Sequence, residues 1–231
     1  MKIKLILSLC TAVLITQPLS AADPQRNWLT QAAQYALSFL YPQQQAATTP
    51  QSDDNDLGPN QAELDTQLLQ AVHDGNLIEV QVLLDAGADP NKANEHSETP
   101  LYTAAFKNNH EMIQLLLDAG ADPNKANKYD QTPLYIAVYR HNNLKMVQAL
   151  IQAKANPQVL TTYEETTLYH AVLHNNLEMI QLLLDAGADP NIPNVDNETP
   201  AQTAKKYGYT EIAELLERAT ASPMIKSARK T

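Results

Sequence analysis

Apolar side chains are distributed along this chain in three patterns. Leu5 to Ile15 is a short apolar run that follows Lys2 and Lys4. From about Trp28 to Tyr41, Leu29, Ala33, Ala36, Leu37 and Leu40 fall on one stripe with Trp28, Tyr35 and Phe39 beside it, which predicts an amphipathic helix capped by Asn27. From residue 61 onward a longer unit recurs. In Thr99-Pro100-Leu101-Tyr102-Thr103-Ala104-Ala105 the threonine can cap a helix and the proline suits its first position, while the small alanine pair lets a second helix approach closely. Asn108-Asn109 breaks that helix. Met112, Ile113, Leu115, Leu116 and Leu117 then mark a second helix by their spacing near 3.6, and Gly120 and Pro123 end it, the glycine by offering a left-handed position and the proline by forbidding continuation.

The unit is strictly periodic. Thr66, Thr99, Thr132, Thr166 and Thr199 hold one phase, at spacings of 33, 33, 34 and 33. Leu-Leu-Asp-Ala-Gly-Ala-Asp-Pro-Asn occurs verbatim at 83–91, 116–124 and 183–191, with 151–157 as a divergent copy. The one extra residue lies near His141-Asn142-Asn143, where it should bulge the turn between two helices without breaking the stack. Two short antiparallel helices cannot be stable alone, so such units must bury their apolar faces against one another, with more polar units at the ends.

A 33-residue period with Thr-Pro-Leu-Tyr-x-Ala resembles the ankyrin repeat, whose usual string is Thr-Pro-Leu-His-x-Ala. The resemblance covers 61–219 and implies an all-α solenoid of about five helix-turn-helix repeats joined by hairpin loops, at 62–94, 95–127, 128–161, 162–194 and 195–219. The first and last repeats depart furthest from the motif and read as caps. Two departures run through the array. Tyrosine stands at 102, 135 and 169 where the family usually has histidine, so inter-repeat hydrogen bonding must be rearranged. Ser97, Asp130, Glu164 and Asn197 replace the hairpin glycine, so less regular fingers are expected.

Composition sharpens this picture. The 231 residues carry 16 Lys and Arg against 26 Asp and Glu, a net charge of −10, which argues against a polyanion such as nucleic acid as partner. Lys2 and Lys4, the apolar run and Ser20-Ala21-Ala22 follow the plan of a secretory signal peptide cleaved after Ala22; the run is short for a membrane span. Residues 1–22 hold two lysines, no acid and the only cysteine, so 23–231 carry 14 bases and 26 acids, net −12, and no thiol chemistry. The expected destination is the periplasm of a bacterium, or else secretion toward a host, with no stable membrane insertion after cleavage. The short helix would occupy 23–41, a Gln-, Thr-, Asp- and Pro-rich linker 42–60, and a disordered tail 220–231.

The resemblance also implies a function. Ankyrin arrays generally bind proteins through their hairpin tips and the exposed face of their first helices, and transfer of those positions singles out His96, Phe106, Lys107, Lys128, Tyr129, Tyr139, Arg140, Tyr163, Glu165, Leu173 and His174. Aromatic residues and arginine are the types that dominate binding hot spots. The competing reading is that some of these rings only fill the stack. Carboxylates at the edges favour a partner with a basic rim. The expected molecule is a monomeric, non-catalytic, cofactor-free scaffold; alternatives are a secreted effector engaging a host protein, a stabiliser of a periplasmic enzyme, or a metal-dependent enzyme using His170 and His174. That pair has chelating spacing but lacks the glutamate of the metalloprotease motif.

Overall fold

The computed structural model describes residues 60–221, which form ten helices and no named strand. In chain order they are α1 Gln61–Asp74, α2 Leu77–Asp85, α3 Pro100–Phe106, α4 His110–Asp118, α5 Pro133–Tyr139, α6 Leu144–Gln152, α7 Thr167–Leu173, α8 Leu177–Asp185, α9 Pro200–Lys206 and α10 Thr210–Ala221. The expected signal peptide, N-terminal helix, linker and most of the tail lie outside the described residues. Thr220 and Ala221 belong to α10, so the last helix runs past the boundary expected at 219.

The odd-numbered helices pack side by side as an inner layer, α1 on α3, α3 on α5, α5 on α7 and α7 on α9. The even-numbered helices make the matching outer layer, and each pairs with the inner helix of its own repeat. Helices of seven residues are too short to persist in water, so it is this packing that holds them. The inner layer closes on alanines: Ala104, Ala137, Ala171 and Ala204 are fully buried, and their lack of bulk lets neighbouring helices approach. The three central outer helices drive in an equivalent triplet, Met112-Ile113-Leu116, Met146-Val147-Leu150 and Met179-Ile180-Leu183, all with no exposure. Burying each such side chain contributes about 1.5–3 kcal/mol.

Capping repeats with equal regularity. Thr99, Thr132, Thr166 and Thr199 each accept a hydrogen bond from the backbone three residues on, as the period predicts, and Pro100, Pro133 and Pro200 open their helices. Asn76, Asn109, Asn143 and Asn176 cap the outer helices in the same way. Thr66 differs: α1 starts six residues earlier in the cycle, with Asn60 as its cap, and the Thr66 hydroxyl donates to the Ala62 carbonyl from inside the helix. Between the helices Asn108 has φ 58°, and in the third repeat the equivalent left-handed residue is Asn142, φ 47°, one position later because His141 is the extra residue. The stack is uninterrupted there, since Asn143 donates to Asn108 at 2.8 Å and Asn176 to Asn142 at 2.9 Å.

The terminal strings hold register between repeats. Asp89, Asp122 and Asp189 accept from the backbone N–H two residues on, closing the turn after each outer helix. Asn91 donates to the Gly120 carbonyl at 3.1 Å and accepts from the Asp122 N–H at 2.7 Å, and Asn124 repeats both contacts one unit later with Lys154 and Asn156.

Candidate functional site

The hairpin fingers are built by one turn motif. The side-chain oxygen of Asn94 accepts from the N–H groups of His96 and Glu98, that of Asn127 from Tyr129 and Gln131, and that of Asn194 from Asp196 and Glu198. In the fourth finger the Thr161 hydroxyl takes this place at 3.3 Å to Tyr163 and Glu165. Ser97, Asp130, Glu164 and Asn197 have φ of 61°, 57°, 57° and 58°. The expectation of less regular fingers is therefore wrong: these residues adopt the left-handed conformation that glycine would take, and the turn's hydrogen bonds hold them in it. Lys128 N–H donates to the His96 carbonyl and Thr162 N–H to the Tyr129 carbonyl, each at 3.2 Å, so successive tips are tied in a row.

Beside that row the inner helices end in Phe106, Tyr139, Leu173 and Lys206. Phe106, Tyr129, Tyr139, Tyr163 and Tyr207 keep between 39% and 55% of their surface exposed. They are also packed. Tyr129 and Tyr163 stack at 6.2 Å, Tyr139 lies 5.5 Å from Tyr135 and 4.7 Å from the His170 ring, and the Arg140 guanidinium sits 4.1 Å above Phe106. Binding and packing are thus not exclusive here: a neighbouring repeat holds Phe106, Tyr129, Tyr139 and Tyr163, Tyr209 holds Tyr207, and each ring keeps part of its surface in solvent.

The charges on this face are wired through histidine. Lys107 reaches Nε2 of His73 at 3.2 Å, and Nδ1 of His73 lies 3.3 Å from Asp74. Hydrogen bonds from Gln70 and then His73 hold the Asp74 carboxyl below its usual range. At the tips the same chain recurs: Lys128 is 3.4 Å from Nδ1 of His96, whose Nε2 faces Glu95 at 3.7 Å. In the last repeat Lys206 meets Glu198 directly at 2.8 Å, which raises its pKa, and Lys205 pairs with Glu217.

Three expected site residues turn out to serve the stack. The Glu165 carboxylate is turned inward and accepts from the Tyr135 hydroxyl at 2.7 Å and from Nε2 of His170 at 3.1 Å, while His170 and Tyr135 are themselves 3.0 Å apart. Leu173 is half-buried. His174 is exposed, yet its Nε2 bonds the Tyr139 carbonyl at 3.0 Å, and His141 does the same to the Phe106 carbonyl at 2.9 Å. Each imidazole so closes a carbonyl that the end of the previous inner helix leaves open. The metal-binding alternative fails on the same geometry, because His170 and His174 direct their Nε2 atoms at different partners. Among the described residues no three His, Cys, Asp or Glu side chains come together to hold a metal.

The rearranged bonding expected from the tyrosines is clear in two repeats. The Tyr102 hydroxyl donates to Gln131 at 3.2 Å and accepts from Asn127 at 3.0 Å; the Tyr135 hydroxyl donates to Glu165. Each phenol thus spans to the residue just before the next repeat's capping threonine. Burial pushes the Tyr102 pKa up to about 12 and raises that of Tyr135 further, so both remain neutral donors; burial lowers that of His170. Sequence reasoning passed over this triangle. A signal was present in the polar residue, Glu98, Gln131, Glu165 or Glu198, that precedes every such threonine.

No curated protein matches the chain. The family model for ankyrin repeats, in three copies, matches residues 68–161 and 140–227, most of the chain and all but the start of the helical stack described above. Ankyrin repeats are generally protein–protein interaction modules and typically non-enzymatic. With the period, the capping threonines, the two-layer stack and this match in agreement, the chain belongs to the ankyrin repeat family.

Proposed function

We propose that the array is a non-catalytic scaffold that binds another protein across its fingers and inner-helix ends. The observation that carries this reading is the row of half-exposed rings, Phe106, Tyr129, Tyr139 and Tyr163, each fixed in place by a neighbouring repeat. Rings already ordered lose little entropy when a partner covers them. Asp74, Glu95, Asp130, Glu164 and Asp196 are exposed around them, and favour a partner with a basic rim through faster encounter. The scaffold acts as a monomer, without cofactor. The N-terminal pattern of Lys2, Lys4, the apolar run and Ala22 supports export, with the periplasm as destination.

The test is cross-linking and capture from periplasm with the wild type and with a Tyr129→Ala, Tyr163→Ala, Arg140→Ala variant. Tyr139 is left intact because it covers His170. Partners should be lost from the variant while its thermal unfolding stays within a degree or two of wild type. Equal recovery from both proteins would remove this face from the account.

A further inference from the structure

The cations of this face differ in what they meet. Lys206 is paired with Glu198, and Lys107 and Lys128 are joined through His73 and His96 to Asp74 and Glu95. Arg140 is exposed, and among the described residues its guanidinium bonds no carboxylate, histidine or carbonyl; it lies over the Phe106 ring at 4.1 Å, with its charge felt by the Tyr102 phenol. On this face, and among the described residues, Arg140 is the cation whose charged head is tied neither to a carboxylate nor to a histidine. The ring supports the fork, whose N–H groups make no hydrogen bond among the described residues. Phe106, itself partly exposed, is thus the apolar surface beside an open five-donor cation.

Resting on the protein-binding reading, we infer that Arg140, seated on Phe106, is the receptor for a single carboxylate, an Asp or Glu side chain of the partner next to an apolar or aromatic residue. A carboxylate matches the fork bidentately, which a lysine ammonium at this position could not offer. A singly charged group fits better than a phosphate. A dianion doubles both its attraction to Arg140 and its repulsion by the exposed Asp74, Glu95, Asp130, Glu164 and Asp196, and with more acids than open cations on the face the second charge adds net repulsion. The recognised segment therefore carries one acid at its centre and Lys or Arg further out, where those carboxylates lie. The centre sets register and the rim sets the rate of encounter.

The experiment is selection of a randomised display library of peptides against the full chain, followed by titration of the enriched peptides. Enriched peptides should carry Asp or Glu beside an apolar residue. Changing that acid to its amide should weaken binding about tenfold, a loss of about 1.4 kcal/mol. Arg140→Gln should produce the same loss and make the protein indifferent to the acid-to-amide change, and Arg140→Lys, which keeps charge but not the fork, should recover only a small part of it. The melting temperature of Arg140→Gln serves as the control for folding. Peptides that Tyr129→Ala and Tyr163→Ala weaken, but that ignore both the acid-to-amide change and Arg140→Gln, would overturn this inference and leave the protein-binding face standing. Tighter binding when phosphoserine replaces the acid would overturn the assignment to a carboxylate. A selection that yields nothing weakened by the tyrosine pair would overturn both.

Discussion

The hydroxyl of Tyr135 donates to the Glu165 carboxylate of the next repeat at 2.7 Å, and His170 closes the triangle on the same oxygen. Tyr135 and His170 are 1% and 5% exposed, so neither donor can turn to water if the carboxylate is removed. Glu165→Ala leaves the Tyr135 hydroxyl and His170 Nε2 only each other, 3.0 Å apart, and should cost about 1–3 kcal/mol, the penalty for the one polar group this leaves unmet. Tyr135→Phe, which removes a donor and leaves Glu165 with His170, should cost about 1 kcal/mol. Denaturant unfolding of both variants and their double mutant checks this, and the two losses should not add.

The same triangle makes stability depend on pH. Burial pulls the His170 pKa below its ordinary 6.5, with the Glu165 bond and charge opposing and His174 assisting. The folded state thus binds this proton less readily than the unfolded chain. The contribution is complete above 6.5, falls as pH drops through the interval down to the folded-state value, and is level below it. Unfolding free energies measured between about pH 8 and about pH 5 should decline for the wild type and decline less for His170→Gln. Parallel curves would count against this histidine as the source.

Glu164 occupies a left-handed conformation, φ 57°, with a side chain suited to none of the roles that excuse it there. Glu164→Gly should raise stability by about 1 kcal/mol, the released strain exceeding the entropy that glycine adds to the unfolded chain. Asp130→Gly should gain less, since aspartate tolerates this region. Thermal unfolding of the two single variants gives the comparison.

A chain that starts at Asn60 keeps the cap of α1, because the Asn60 side chain accepts from the Ala62 N–H. Its cooperative unfolding and melting temperature should match those of the longer chain. A fall of more than a few degrees would assign the Trp28 to Tyr41 stripe to the core of the array.

Much of this architecture was legible because it depends on residues that act locally. A threonine that caps, a proline at the first helical position and Gly120 at a left-handed end each do their work within a few residues. The fingers were misjudged because glycine is only one way to reach φ near 60°. The carboxamide of Asn94 or Asn127, or the Thr161 hydroxyl, fastens the turn from two and four residues away and so lets Ser97, Asp130 and Glu164 take the same conformation. Glu165 was placed on the surface because it sits at a tip position, whereas its orientation is decided by Tyr135, 30 residues earlier, and His170. The binding face was legible as a set of positions. That Arg140 would be open while Lys107 and Lys128 are tied was not, since it turns on where His73 and His96 of the preceding repeats aim their rings.

Within the inner layer each helix packs on the ones before and after it, and the strings at 83–91, 116–124 and 183–191 are the same. The seams share one plan although the third repeat departs from it in its 151–157 string and extra residue, so the number of repeats is a quantity the gene can alter with few changes elsewhere. A duplicated second repeat would keep its present neighbour on each outer side and need only one new seam, between its two copies. What would change is reach: the spacing of Arg140 from the array's ends, and with it the length of partner the molecule can span.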